Sequence, residues 1–352
     1  MLFGSNKLVG LDIGTSSIKL VEVEATKKKI TLTSFGFIPT PPGSITAGEI
    51  NNPEALSEAI RKLVAQSKTK RRKACTSIWG TAVITKKISI PRIERNVLSE
   101  QLKWEAEQYI PFDINEINLE YHVLDEVRAS PDQMNVLLVA AKRDFVMRYA
   151  EVVEAAGLEC SVVDVSGFAL ANCFEVNYGK TPNQTLALLN IGAGMTNFVI
   201  LENGEATFSR DIPVGGITYT NDIQKVMGVS LEEAESLKIS AGTGQPVPQE
   251  VSDVLVQTNE VVAEEIRRSF DFYLATSSDA SIHKIYVTGG GLGLPGLYEQ
   301  LQSSLSLPIE NLNPFINIDF NRRVFSEEYI SQISPYASVG LGLALRQARD
   351  NA

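Results

Sequence analysis

The stretch Val9–Val23 (VGLDIGTSSIKLVEV) has a second copy in the same chain, Ala187–Glu202 (ALLNIGAGMTNFVILE). Slid back by 178 positions without a gap, the second lays Ile191 on Ile13, Gly192 on Gly14, Val199 on Val21 and Glu202 on Glu24. Each copy reads as strand, glycine turn, strand. Such a repeat predicts two related halves facing each other across a cleft. The first turn adds the hydroxyls of Thr15, Ser16 and Ser17 and the ammonium of Lys19. A tight glycine turn lets backbone N–H groups converge on one point, which suits phosphate oxygens. Asp12 beside it could hold a hydrated Mg²⁺. Alone, either copy reads equally well as a plain hairpin with polar turn residues. Two facing turns can grip the phosphates of one nucleotide from both sides.

The 352 residues are too many for one small core and fit two lobes or a few subdomains. A net charge of −10 argues against nucleic acid as the main partner. The basic cluster Lys68–Lys73 (KTKRRK) reads as a solvated turn, with an anionic-lipid contact as the alternative. Cys75, Cys160 and Cys173 are isolated in apolar contexts, so neither a zinc site nor a disulfide framework is expected, in keeping with a reducing cytoplasm. His122 and His283 lie far apart, which leaves no histidine-based site. The N-terminal segment lacks a signal-peptide apolar region, and no window reaches the ~18 apolar residues of a membrane span.

In chain order, strands at Val9–Val23 and Ile30–Ile38, a polar turn at Lys27–Lys29, a helix at Pro53–Gln66 and a strand at Ala74–Ile78 open an α/β lobe. About 85–158 reads as an inserted small subdomain of three strands and two helices. In its first helix, Asn96–Ile110, the residues Leu98, Leu102, Ala106 and Tyr109 form the core stripe, and Glu100, Lys103 and Glu107 a charged face. Val97, Gln101, Trp104 and Gln108 form a third face, expected to be buried against the main lobe or against a partner. Cys160–Val165 is a return strand, and its Asp164 is either a turn residue or a general base at the cleft floor.

After the second glycine turn, Gly215 and Gly216 permit close approach of a ligand. Ser230 with Glu233 is a capping box that opens a helix. On it Glu235 and Lys238 form either a surface ion pair or a contact to a ribose or adenine edge. Helices follow at Thr258–Ser277, Leu297–Leu305 and Ala337–Ala348. Strand Ile285–Thr288 runs into Gly289, Gly290 and Gly291. The run Gly291–Gly296 fits G-x-G-x-x-G, but no acidic residue lies about 20 positions on to hold a ribose, against a Rossmann reading.

The ordered set of a DxGT hairpin, an NxGA hairpin, a Gly-Gly plus AExLK stretch, a strand–GGG–helix and a C-terminal Ala/Gly helix resembles the actin-like ATPases, the group of actin, Hsp70, sugar kinases and FtsA. The insert resembles the small (SHS2-type) subdomain of FtsA. Within that group, Glu105–Glu126 and Leu138–Leu158 most resemble the PilM family of type IV pilus assembly, which serves pilus-driven twitching motility. The resemblance implies a two-lobed, duplicated (ribonuclease H-like) α/β fold. Lobe 1 would be 1–84 plus 159–180, the insert 85–158, and lobe 2 181–352, with a subdomain at about 225–280. It also implies ATP (or ADP) with Mg²⁺, a place at the inner face of the cytoplasmic membrane, and contacts to pilus inner-membrane and motor components. The N-terminal cytoplasmic peptide of PilN would bind in a groove beside the insert, with Trp104, Gln101 and Gln108 as candidates for that surface.

Carried over residue by residue, the pattern has Asp12 position Mg²⁺ through water. Gly14, Thr15, Ser16, Ser17 and Lys19 meet the phosphates from one lobe, and Gly192, Ala193, Gly194 and Thr196 from the other. Gly215 and Gly216 approach closely, while Glu235, Lys238 and Gly289–Gly291 hold the adenosine. Asn190 stands where the wider pattern has an acidic residue, so binding is expected to survive and hydrolysis to be slow at most. Two rivals remain at this point. A small-molecule kinase of the same superfamily would need Asp164 as its base. An FtsA-like filament protein would need a terminal membrane helix, for which the sequence leaves no room after its last buried-type helix.

Overall fold

The computed structural model describes residues 7–26, 29–126, 132–277 and 281–346. The polar turn at Lys27–Lys29 and the end of the helix read to Ala348 fall partly outside these residues. The chain begins with the meander β1 (Val9–Ile13), β2 (Ser17–Ala25) and β3 (Ile30–Pro39). Short strands β4 (Ile45–Thr46) and β5 (Glu49–Ile50), helix α1 (Pro53–Ser67) and β6 (Lys73–Ile78) follow. The insert comprises β7 (Val83–Pro91), α2 (Arg95–Ala106), β8 (Ile117–Glu126) and β9 (Gln133–Lys142). The chain then forms α3 (Arg143–Ala155), β10 (Glu159–Val165) and α4 (Ser166–Tyr178). The second meander is β11 (Thr185–Ile191), β12 (Thr196–Glu202) and β13 (Glu205–Ile212), followed by α5 (Gly216–Met227), α6 (Leu231–Gly242) and α7 (Gln249–Thr276). The remaining elements are β14 (Lys284–Thr288), α8 (Leu297–Leu305), β15 (Ile309–Asn311), β16 (Ile318–Phe320) and α9 (Glu327–Ala344).

The duplication extends from the turn to the whole sheet. The first sheet runs β10-β6-β1-β2-β3-β16 and the second β13-β12-β11-β14-β15. In each, an antiparallel meander is continued from its first strand by two parallel strands. The hairpins also share a register: Ile13 faces Ile18 and Asp12 faces Lys19, as Ile191 faces Thr196 and Asn190 faces Asn197. Both turns close through the same bond, Gly14 N–H to Ser17 O at 3.1 Å and Gly192 N–H to Met195 O at 2.9 Å.

Helices α4 and α9 lie between the sheets. One apolar cluster joins Val21, Val23 and Leu32 of the first sheet to Leu188, Val199 and Leu201 of the second, through Leu170, Phe174, Ala337 and Leu341. Helix α9 begins at Glu327, ten residues before its apolar run, and carries Pro335 inside it. A proline removes a helical hydrogen bond and usually marks an end, which is why the sequence places the start later. Helix α7 likewise begins at Gln249, because Val251, Val254 and Leu255 extend its buried stripe past the polar residues that hide it.

The insert is a three-stranded sheet, β7-β9-β8, covered by α2. Leu98, Leu102 and Ala106 are buried on it as expected, but Tyr109 is exposed. The helix ends at Ala106, and Ile110 fills the core position instead. The reading over 85–158 groups α3 with the insert, yet its Phe145, Tyr149, Val152 and Val153 pack with Leu56, Ile60 and Leu63 of α1 in the first lobe. Trp104 is 70% exposed, so burial against the main lobe does not occur. The basic cluster is only partly solvated: Arg71 donates to Leu8 O at 2.9 Å and Val23 O at 2.7 Å. All three cysteines are free.

Candidate functional site

The two glycine turns meet. A Cβ placed on Gly194 would fall 2.5 Å from Thr15 Oγ1, so the tips of the repeated hairpins touch across the cleft. A cavity of about 380 Å³ extends from them, within the ~300–1,000 Å³ of small-molecule sites. Its walls include Asp12, Gly14 to Ser17 and Lys19 from the first lobe, and Asn190, Gly192 to Gly194 and Asn197 from the second. The same walls include Gly216, Glu235, Lys238 and Gly289 to Gly291.

Each turn is held from behind by its carbonyls. Thr40 donates its Oγ1 to Gly14 O at 2.7 Å and its N–H to Ser16 O at 3.0 Å. In the second copy the first N–H groups of α5 serve instead, Gly216 to Gly192 O at 3.0 Å and Ile217 to Ala193 O at 2.8 Å. Gly215 makes that approach possible, since a Cβ there would fall 2.5 Å from Gly192 O. With their carbonyls occupied, the backbone N–H groups of Thr15, Ser16, Ala193 and Gly194 have no protein partner among the described residues. Unpaired donors at a cavity wall call for an acceptor from outside the chain.

The two copies differ in charge at equivalent positions. Asp12 Oδ2 and Lys19 Nζ form an ion pair at 3.1 Å, whereas Asn190 Nδ2 donates to Asn197 Oδ1 at 2.8 Å. Asn197 Nδ2 in turn donates to Asp211 Oδ1 at 2.7 Å, and Gly80 N–H donates to Asp211 Oδ2 at 2.6 Å. This chain of bonds crosses from the cavity wall to the loop that leads into the insert. Burial holds the Asp211 carboxyl above the ordinary range, against the opposing effect of its two donors.

Glu235 and Lys238 are not a surface pair. Lys238 is buried, and its Nζ donates to Gly216 O at 3.0 Å, Thr220 Oγ1 at 2.9 Å and Glu235 Oε2 at 2.7 Å. Thr196, expected at the phosphates, does not line the cavity; it is fully buried and donates to Val214 O at 2.9 Å. Gly215 lies behind the turn and not in the wall. Asp164 is also absent from the wall. It sits on the edge strand β10, 3.2 Å from Arg346 Nε, with burial pushing its carboxyl up and Arg346 opposing. Sequence reasoning missed Trp79, Ser166, Ile239, Thr243 and Tyr336, which line the cavity from elements distant in sequence and carry no local motif.

On the insert, Trp104 lines a second hollow of about 630 Å³. It shares that hollow with Glu100, Lys103 and Glu107 of the charged face, and with Ile114, Ile117, Leu119 and Arg143. Gln101 and Gln108 are exposed outside it and donate to Glu105. The outer edge of β8 is unpaired along the same side of the insert, among the described residues.

Two meander sheets of one plan, closing over a cleft at mirrored glycine turns, define an actin-like fold. Comparison agrees: MreB5 of Spiroplasma citri, solved bound to ADP, superposes with a TM-score of 0.50 at 13% identity, covering 94% of this chain and 98% of that one. Cell division protein FtsA of Bacillus subtilis (strain 168) is 25% identical, over 97% of this chain and 84% of its own. A solved PilM–PilN type IV pilus biogenesis complex matches with a TM-score of 0.85 at 31% identity, covering 98% of this chain and 99% of that one. The family described as type IV pilus assembly protein PilM matches residues 10–348. The chain belongs to that family.

Proposed function

We propose that this type IV pilus assembly protein is a nucleotide-held adaptor. It takes up ATP or ADP with Mg²⁺ between its lobes and binds the N-terminal cytoplasmic tail of a PilN-type membrane protein through its insert, at the inner face of the cytoplasmic membrane. The observation that carries the first half is the pair of touching turns whose free N–H groups face one cavity wall. In this reading Lys19 and the turn N–H groups hold the phosphates, and Asp12 holds the metal's water.

The metal fits the donor set on one side only. Asp12 supplies a carboxylate, while the equivalent Asn190 supplies an amide with no charge to offset Mg²⁺. Among the described residues the carboxylates in the cavity wall are Asp12 and Glu235, and each is already paired with a lysine. A kinase or fast ATPase needs a free base within hydrogen-bond reach of its substrate, so the adaptor is favoured and turnover is slow at most. No described helix is long and apolar enough to cross a membrane, so this reading leaves attachment to the tail. The tail adds along the β8 edge, its apolar side chains in the hollow that Trp104 lines.

The chain's two tryptophans separate the two halves. Trp79 is buried in the cavity wall and Trp104 stands on the insert. A Trp104→Phe variant is expected to report ATP·Mg²⁺ through Trp79. Asp12→Ala in that background should weaken the nucleotide about tenfold or more; equal affinity at equal magnesium refutes the cleft assignment. A Trp79→Phe variant is expected to report the tail peptide through a blue shift of Trp104, and unchanged emission at saturation refutes the insert assignment.

A further inference from the structure

The loop from α1 to β6 carries a motif that the cavity does not use, the basic run Lys68–Lys73. Burial alternates along it. Lys68, Lys70 and Arg72 are exposed, while Thr69 and Arg71 are half-buried. The inward pair fastens the loop. Thr69 donates its hydroxyl to the buried Glu22 carboxylate, Arg71 Nε lies 3.7 Å from the same carboxylate, and Arg71 Nη1 and Nη2 donate to Leu8 O and Val23 O. An anchored backbone therefore presents the three outward cations. Among the described residues none of the three has an ion pair or a side-chain hydrogen bond. The neighbouring carboxylates are engaged elsewhere, Glu24 with Lys7 and Glu159 with Lys73. The C-terminal end of α1 favours a cation at Lys68, but it does not account for the two that follow. On a chain of net charge −10, three unbalanced cations in one loop call for an anionic partner from outside.

We propose that Lys68, Lys70 and Arg72 are a contact for the anionic headgroups of a lipid bilayer. Two observations favour a bilayer over an acidic protein. The exposed positions of the loop from Lys68 to Arg72 carry only cationic side chains, which suits a diffuse layer of charge better than one shaped group. The start of the chain also runs beside the loop, because Arg71 holds Leu8, and Leu2 and Phe3 precede Leu8 by only six and five residues. Cations with apolar side chains close by are the combination that a bilayer surface takes up. The loop stands at the start of β6 and Trp79 follows its end, so about 20 Å of strand separates this contact from the cavity wall. The contact goes beyond the tail reading: the tail tethers the protein and the loop orients it. Tethering makes the second contact intramolecular, so about fivefold in surface affinity from each cation suffices.

The test uses the full chain and vesicles that carry no tail peptide, so its failure leaves the adaptor reading standing. Co-sedimentation is measured with vesicles of about 30% phosphatidylglycerol in phosphatidylcholine and with vesicles of phosphatidylcholine alone. Wild type is expected on the anionic vesicles and not on the neutral ones, and to leave them as salt rises from about 0.1 M to about 1 M. The triple variant Lys68→Gln, Lys70→Gln and Arg72→Gln is expected to lose about a hundredfold in affinity. A charge-matched control, Lys225→Gln, Arg322→Gln and Arg323→Gln, removes three exposed cations elsewhere and is expected to bind like wild type. A wild type that ignores the anionic vesicles, or a loop variant that binds them as tightly as wild type, overturns the lipid contact. Equal losses in the two triple variants overturn it as well, since net charge and not this loop would then set the affinity.

Discussion

Gly342→Ala is expected to destabilise the protein by about 3 kcal/mol or more and to yield aggregated material on expression. Two effects compete at this position. Gly342 sits inside α9, where exchanging glycine for alanine ordinarily gains about 1 kcal/mol of helix propensity. Against that, the new Cβ would fall 1.8 Å from Ala169 O and 2.6 Å from Ala169 C, which are backbone atoms of α4 and cannot rotate away. The same helix is pinned on its other side, where a Cβ on Gly10 of β1 would fall 2.2 Å from Gly340 O. Moving α9 off α4 therefore pushes it into the first sheet. It would also open the cluster through which both sheets share their core. Gly293→Ala is the control, since its Cβ would meet nothing within 4 Å and its φ is not in the left-handed region. Urea midpoints decide between the effects: a Gly342→Ala protein as stable as Gly293→Ala would mean that the lobes are not joined by this close contact.

The features that the chain writes locally were legible before any coordinates. The two hairpins share an alternation and a glycine at the same offset, so the duplication and the facing turns could be read from periodicity and spacing. The capping box at Ser230 and Glu233 forms as the spacing requires. What was hidden is what depends on contacts distant in sequence. Thr40 supports the first turn from 26 positions away, and nothing near it in the sequence marks that task. Thr196 reads as a phosphate hydroxyl because its neighbours do, yet a strand alternates sides and its side chain turns into the core. Glu235 and Lys238 look like any i, i+3 surface pair until α5 packs over Lys238. Trp104 could be assigned to a face but not to solvent or core, since that depends on where the whole insert sits.

Asp211→Ala is expected to cost about 2–6 kcal/mol, because truncation leaves two donors without an acceptor at about 1–3 kcal/mol each. Those donors are the Gly80 N–H, in the first lobe just before the insert, and Asn197 Nδ2, in the cavity wall. The second lobe otherwise holds the root of the insert through Thr85, which donates to Ser209 O at 2.6 Å, and through the Lys87–Glu202 ion pair at 2.8 Å. Of these links, Asp211 is bonded to a residue of the cavity wall, so its loss should also raise amide exchange at Gly80 and unfasten the insert from the cleft. The pH dependence carries a definite sign. Burial raises the folded-state value of Asp211 above the ordinary 3.8, so the native state binds this proton more tightly than the unfolded chain. That contribution is fully present below 3.8 and is lost as pH rises through the raised value. The stability gap between wild type and Asp211→Ala should therefore narrow as pH rises from 4. Urea denaturation of both proteins across that range measures it directly. A gap that widens with pH would mean that the carboxylate is held charged, and that its bonds to Gly80 and Asn197 outweigh its burial.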